Sequence, residues 1–102
     1  MGILHTVNKS PFERNSIESC LKFATEGASV LLFEDGVYAA LKGTRCESQV
    51  TTALSRLKFY VLGPDLRARG FSEERIIPGI KVVDYAGFVD LAVECDKVQA
   101  WL

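Results

Sequence analysis

The chain contains three cysteines, at positions 20, 46 and 95, and these are the side chains best suited to covalent chemistry. Their odd number and wide, irregular spacing favour reduced thiols over a disulfide framework. An accessible thiol with a lowered pKa attacks a sulfur donor readily, whereas a thiol buried among apolar side chains is inert. The chemical role of each cysteine therefore depends on the element that positions it.

Cys20 lies in the segment SIESCLKF, which has the pattern of an amphipathic helix. At about 100° per residue, Cys20 falls near the middle of one broad apolar arc formed by Phe12, Ile17, Leu21, Phe23 and Ala24. This position predicts burial and favours a core cysteine. The arc is, however, wider than a monomer's core needs, so part of it could face another subunit or a cleft. A core role and a sulfur-handling role for Cys20 therefore both stay open.

The other two cysteines and the single histidine are weaker candidates. Cys95 falls on an apolar helical stripe, which predicts a structural role, and Cys46, beside Arg45 at a helix start, is expected to be more exposed. His5 lies inside a strand, where a hydrogen-bonded packing residue is commoner than a catalyst. The chain has no CxxC pair, no Cys/His cluster and no glycine-rich phosphate loop, so we expect neither a metal site nor a cofactor.

The elements that must position these residues alternate along the chain. Apolar runs predict strands at 3–7, 28–35, 58–63, 80–84 and 97–102. Ser10, Pro11 and Glu13 have the pattern of a helix start, which predicts a helix over 11–26, and a second helix is expected at 45–57. Shorter helical turns follow the second and third strands, and the segment 85–96 forms a further helix. This order predicts one α/β domain over residues 1–102, with a mainly parallel five-stranded sheet and helices on both faces.

Three loops follow predicted strands, where ligands bind in sheets of this type. Polar residues occupy all of them: Asn8, Lys9 and Ser10 after the first strand; Glu34, Asp35 and Tyr38 after the second; Asp65, Arg67 and Arg69 after the third. The functional interpretations of these three loops are, in the same order, a small-anion site, a carboxylate pair for acid/base work, and a site for an anion or a partner. Helix capping and solvated turns explain the same residues without a ligand.

Composition narrows the class of function. With 12 basic and 13 acidic residues well interspersed and a net charge of −1, the chain lacks the positive surface that nucleic acid or anionic lipid requires. No continuous apolar run reaches the length of a signal peptide or a membrane span. We therefore expect a cytoplasmic protein with no direct nucleic-acid or membrane partner.

Several segments together resemble one protein family, DsrH/TusB. They are LHTVNKSPF, LLFEDGVYAAL, YVLGPDLRARG and VVDYAGFVDLAVECDKVQAWL, which follow one another in the family's order and spacing. The likeness runs nearly end to end and looks closer to the DsrH branch of sulfur-oxidising bacteria than to the TusB branch. It implies a DsrE-like fold, related to Rossmann and flavodoxin sheets.

The resemblance also implies a function and partners. Members form heterohexamers, DsrEFH or TusBCD, in which sulfur travels as a cysteine persulfide and passes to a DsrC/TusE-like carrier. The principal cysteine belongs to the DsrE/TusD-like subunit, after its third strand, and the DsrF/TusC-like chain is the remaining subunit. Here the matching segment LGPDLRARG has no cysteine. The expected function is therefore an accessory sulfurtransferase subunit, and the alternative is that the chain is itself a persulfide carrier through Cys20.

A third hypothesis is a free-standing module that binds a small anion or nucleotide. The missing glycine-rich loop counts against it. The C-terminal segment VQAWL carries Trp101 and Leu102, and either the domain's own helix or a neighbouring chain must cover it.

Overall fold

Strands and helices alternate along the chain in a computed structural model that describes residues 2–12 and 15–101. The strands are β1 (Ile3–Val7), β2 (Ser29–Leu32), β3 (Lys58–Leu62), β4 (Lys81–Val83) and β5 (Lys97–Trp101). The helices are α1 (Ser16–Phe23), α2 (Glu47–Ala53), α3 (Gly63–Ala68) and α4 (Tyr85–Glu94). Two 3₁₀ segments, Glu34–Ala40 and Glu73–Arg75, complete the order.

All five strands run parallel in one sheet with the order β4-β3-β2-β1-β5. The predicted parallel five-stranded α/β fold is therefore confirmed. The chain lays down β1 to β4 in one direction and then returns, so that β5 pairs with the other edge of β1 from Ile3↔Lys97 to Val7↔Trp101. The order thus reverses at β1, and loops at the carboxyl ends of its neighbours lie where such sheets bind ligands.

The larger core lies on one face of the sheet. Alternate residues of the central strands point to this face because side chains alternate along a strand, and Val7, Val30 and Phe59 are among them. Helices α1, α2 and α3 and the 3₁₀ segment after β2 pack their apolar residues against it. β2 is buried along its whole length, as its continuous apolar run predicts.

Helix α4 covers the opposite face. Leu91 packs against Leu4 and Leu31 of the sheet, with Phe88 and Cys95 at the margin of this smaller cluster. The stripe predicted for this helix is therefore the side that packs on the sheet, and the prediction of helices on both faces is also confirmed. Among the described residues, no helix has the length and apolar character needed to span a bilayer.

The start of α1 differs from the sequence prediction. The helix begins at Ser16 after Asn15, not at Pro11, and Ser10 Oγ accepts a hydrogen bond from the Phe12 amide at 3.1 Å. Ser10 thus stabilises a local turn and is not the N-cap of α1. Its hydroxyl still accepts a hydrogen bond from a backbone amide two residues later, as an N-cap side chain would. The predicted cap partner Glu13 lies outside the described residues.

The predicted extents of α1 and α2 were too long. α1 ends at Phe23, because Ala24 is extended, and α2 occupies Glu47–Ala53 within the predicted 45–57. Phe12 and Phe23, which the helical wheel placed on the apolar arc, are 49% and 65% exposed. Phe12 precedes the helix, so a wheel drawn through it had no physical basis.

Candidate functional site

The three strand-end loops predicted as separate sites meet at the carboxyl edge of the sheet. Asn8, after β1, donates from Nδ2 to Glu34 Oε1 at 3.1 Å. The backbone amide of Glu34, after β2, donates in turn to Oδ2 of Asp65 at 2.6 Å, and Asp65 lies in the first turn of α3, directly after β3. The polar side chains of these loops therefore bind one another across neighbouring strands, and Asn8 Oδ1 is buried with no partner among the described residues.

Arg69 extends this network to the second acid of the loop after β2. Its Nε and Nη2 atoms donate to Asp35 Oδ1 at 3.0 and 2.9 Å, and its Nη1 donates to the Asp65 carbonyl oxygen. Tyr38, from the same loop, packs edge-on against Phe71 instead of joining the polar groups. The predicted carboxylate pair is thus divided between two partners, Asn8 and Arg69, and the arrangement stabilises the loops.

Close backbone packing holds this network in place. Glu34 has a φ of +49°, in the left-handed region that non-glycine residues seldom adopt. Two residues later, Gly36 lies so close to β1 that a Cβ atom there would be 2.8 Å from the Val7 carbonyl carbon. Only glycine allows the 3₁₀ segment to approach the end of β1 this closely.

The thiol of Cys20 lies on the larger-core side of α1. Cys20 is fully buried and belongs to the apolar cluster that includes Ile17 and Leu21, as its place on the helical arc predicts. Burial raises the pKa of this thiol to about 12, although the nearby Arg56 guanidinium opposes the rise. In this conformation the thiol is shielded from solvent, and its raised pKa favours the protonated form.

No local sequence pattern singles out Arg56. It follows α2, yet its guanidinium donates to the carbonyl oxygens of Leu21 and Ala24 at the end of α1. A cation at these carbonyls satisfies acceptors that a helix end leaves unpaired. Arg56 therefore fixes the end of the helix that carries Cys20, and the contact joins residues 35 positions apart, which no local pattern reveals.

The remaining cysteines lie in structural positions. Cys46 is buried, with its sulfur 3.2 Å from Thr44 Oγ1, so the expectation of greater exposure was wrong. Cys95 caps α4 and packs against the smaller apolar cluster. Across the described ranges, no three His, Cys, Asp or Glu side chains converge in a way that could hold a metal ion.

His5 and Trp101 form a hydrogen-bonded pair across β1 and β5. Trp101 Nε1 donates to His5 Nδ1 at 3.0 Å, and Trp101 stacks on Phe23 with a centroid distance of 6.4 Å. His5 is buried, burial lowers its pKa, and its Nε2 has no hydrogen-bond partner in the part of the chain described. The chain thus covers part of Trp101 itself, whereas Leu102 lies outside the described residues.

Replacing Trp101 with phenylalanine should destabilise the fold by about 1–3 kcal/mol. Phenylalanine retains an aromatic ring beside Phe23 but leaves the buried His5 Nδ1 without its donor. Urea denaturation measures the change in the free energy of unfolding. The control is a double-mutant cycle with His5→Leu. The loss of stability in the double variant should be smaller than the sum of the losses in Trp101→Phe and His5→Leu. Strict additivity would contradict an energetic role for this hydrogen bond.

The sequence of this chain matches a family model. The model described as DsrH like protein matches residues 9–98, which is most of the chain. The chain belongs to the DsrH/TusB family. The likeness noted in the sequence is therefore confirmed at the level of the family.

Curated relatives agree with this membership. Protein TusB of Pectobacterium parmentieri is 36% identical over 99 residues, and Protein TusB of Erwinia tasmaniensis is 39% identical over the same length. Each alignment covers 97% of this chain and 100% of the relative. The family model has the DsrH name and these relatives have the TusB name, so closer kinship with the DsrH branch stays a prediction.

Solved structures match the fold of this DsrH/TusB-family chain. The YchN protein of E. coli superposes with a TM-score of 0.82 at 18% identity, covering 98% of both chains. A protein of unknown function from Methanobacterium thermoautotrophicum superposes with a TM-score of 0.74 at 15% identity, covering 95% of this chain and 96% of the other. At such low identity the likeness shows the shared fold alone.

Proposed function

We propose that the chain is an accessory subunit of a cytoplasmic sulfurtransferase, in which a partner subunit carries the essential persulfide. Membership of the family over nearly the whole chain supports a place in a sulfur-relay assembly. The accessory role rests on one observation, the full burial of Cys20 and the rise of its pKa to about 12. Persulfide exchange requires an accessible thiolate, and Cys20 as folded does not provide one.

The residues directly after β3 also support an accessory role for this chain and a reactive thiol on a partner subunit. In the family, this is the position of the principal cysteine of the DsrE/TusD-like subunit, whereas here β3 runs into Gly63 and Pro64. Two polar residues that follow, Asp65 and Arg69, are engaged in the strand-end network. A sibling subunit would therefore supply the reactive thiol.

The proposed assembly is a heterohexamer. Residues 1–102 would form one domain that joins homologous DsrE/TusD-like and DsrF/TusC-like subunits, and the complex would pass sulfur to a DsrC/TusE-like carrier. Sulfur oxidation through DsrEFH and tRNA 2-thiouridine synthesis through TusBCD are the two pathways that such an assembly serves. In neither does the proposal give this chain a direct contact with nucleic acid or membrane.

In the alternative, Cys20 is itself a persulfide carrier. Its thiolate would attack the outer sulfur of a donor persulfide, form a new S–S bond and release the donor as a thiolate; an acceptor thiolate would later attack the same sulfur and regenerate Cys20. The Arg56 guanidinium favours this alternative, because its charge lowers the pKa of the thiol. The transfer would require α1 to move away from the core first.

Mass spectrometry after loading with a donor persulfide separates the two proposals. The chain should first be assembled with TusC-type and TusD-type subunits of its own organism. We expect the added mass of one sulfur on a partner cysteine and none on Cys20, with transfer to the carrier unchanged in Cys20→Ala. A sulfur that appears on Cys20 and then moves to the carrier would support the alternative, and a chain that binds no sibling subunit would contradict the accessory role.

A further inference from the structure

The outer side of α4 carries an apolar stripe that the chain leaves uncovered. Tyr85, Val89 and Val93 recur at every fourth residue and are 60%, 60% and 78% exposed. At 1.5 Å per residue they form a row about 12 Å long, on the side of the helix opposite the buried Leu91. α4 is thus apolar on both sides, although only one side packs on the sheet.

The stripe continues onto the edge strand β5. Val98 pairs in register with Leu4, so its side chain lies on the sheet face that α4 covers. It is 51% exposed, whereas Leu4 is fully buried. We call Tyr85, Val89, Val93 and Val98 the α4 surface.

The topology explains why this side is incompletely covered. Strands β4 and β5 form opposite edges of the sheet, so α4 is the one helix that connects them across this face. A five-stranded sheet is roughly 24 Å wide at about 4.8 Å per strand, and a helix is about 10 Å wide. Three helices share the other face, whereas a single helix leaves room here for packing against another protein.

The charges of α4 itself oppose contact between this helix and the α4 of a second copy. Residues 82–96 include Asp84, Asp90, Glu94 and Asp96 and no lysine or arginine. A two-fold contact would bring the same surface of two copies together and place α4 acids beside α4 acids. Like charges brought together at an interface oppose association.

We propose that the α4 surface docks on a different polypeptide, a sibling subunit that presents an apolar groove bordered by lysine or arginine side chains. The apolar row would fill the groove, and Asp90 would face the basic border. This inference rests on the proposed function, because it identifies the surface through which the chain would join the assembly. It assigns no reactive role to α4.

Two substitutions on α4 test the docking surface, with binding measured to co-expressed TusC-type and TusD-type subunits of the same organism. Val93→Lys places a cation in the apolar row, and Asp90→Lys reverses the charge at its side. Each should weaken binding at least tenfold. The conservative Val93→Thr should remain within about twofold of wild type, and so should the matched Gln49→Lys, at an exposed position of α2 on the other face of the sheet. Circular dichroism and melting temperature check that all four variants fold.

The outcomes separate this inference from the function on which it rests. If wild type binds the sibling subunits and Val93→Lys binds equally well, the α4 surface is overturned and the accessory role stands. If wild type binds neither subunit, both proposals fail. Lys58 and Lys81 lie on the same sheet face as α4 and offer cations to the acids of a second copy, so the chain must also be sized alone by light scattering. A dimer that Val93→Lys converts to a monomer would overturn the choice of a different chain as occupant.

Discussion

Native Cys20 should react with iodoacetamide at least a thousand-fold more slowly than the same thiol in the urea-unfolded chain. A pKa raised from its ordinary 9.0 to about 12 lowers the thiolate fraction at pH 8 about a thousand-fold, and complete burial blocks the reagent as well. Peptide mapping by mass spectrometry follows each cysteine in one sample. Cys95 is partly exposed and serves as the internal control. Native labelling of Cys20 as fast as that of Cys95 would contradict the buried state.

The same burial predicts a loss of stability in alkali. Above pH 9 the unfolded chain releases the Cys20 proton, whereas the folded chain retains it until the pH approaches 12. The contribution of Cys20 to stability is therefore fully present below pH 9. Between pH 9 and pH 12 the free energy of unfolding falls by about 1.4 kcal/mol per pH unit. Since lysine and tyrosine also titrate there, the measurement compares urea denaturation of wild type with that of Cys20→Ala. Equal pH dependence in both proteins would contradict the raised pKa.

Gly36→Ala should destabilise the fold by about 3 kcal/mol. The added Cβ would lie well inside van der Waals contact of the Val7 carbonyl oxygen and 2.8 Å from its carbon, and these are backbone atoms of β1, an interior strand of the sheet. Relief requires the 3₁₀ segment to move away from β1, which would also strain the Asn8–Glu34 hydrogen bond. Urea denaturation measures the change in the free energy of unfolding.

Gly27→Ala is the matched control for this substitution. Gly27 has a φ of +87°, and a Cβ there would meet no atom within 4 Å, so alanine costs backbone strain alone. We expect a loss of about 1 kcal/mol for Gly27→Ala. If Gly36→Ala is as stable as Gly27→Ala, the prediction is contradicted, because the 3₁₀ segment and the end of β1 would then separate at little cost in free energy.

The fold was predictable because its signals are local. Apolar runs such as SVLL and KFYVL indicate strands, and helical segments between them require parallel crossovers. The start of α1 was not predictable, because Ser10 and Pro11 match a helix cap as well as they match the turn that actually precedes Asn15. The Ser10 hydroxyl can accept a hydrogen bond from a backbone amide in a helix cap or in a turn. Tertiary packing decides which of the two forms.

The candidate site was predictable only in part. Burial of Cys20 followed from its place on a helical arc, whereas the three strand ends were chosen as separate candidate ligand sites and their mutual contacts were not predicted. The hydrogen-bond partners could not be predicted, because Asn8 and Glu34 are 26 positions apart in the sequence, and Asp35 and Arg69 are 34 positions apart. Such pairs depend on the order of strands in the sheet. The contact of Arg56 with α1 depends equally on how two helices lie together.

The pairing of β5 with β1 has a consequence for synthesis in the cell. Gly2 and Asp96, 94 positions apart, are joined by hydrogen bonds where these two strands begin. β1 therefore lacks one neighbour until β5 has been synthesised and can pair with it, and long-range pairing of this kind is slow to form. During that interval the open edge of β1 is exposed to other nascent chains. Completion of the sheet thus waits for β5, and a truncated chain that ends before Lys97 should be a target for chaperones and proteases.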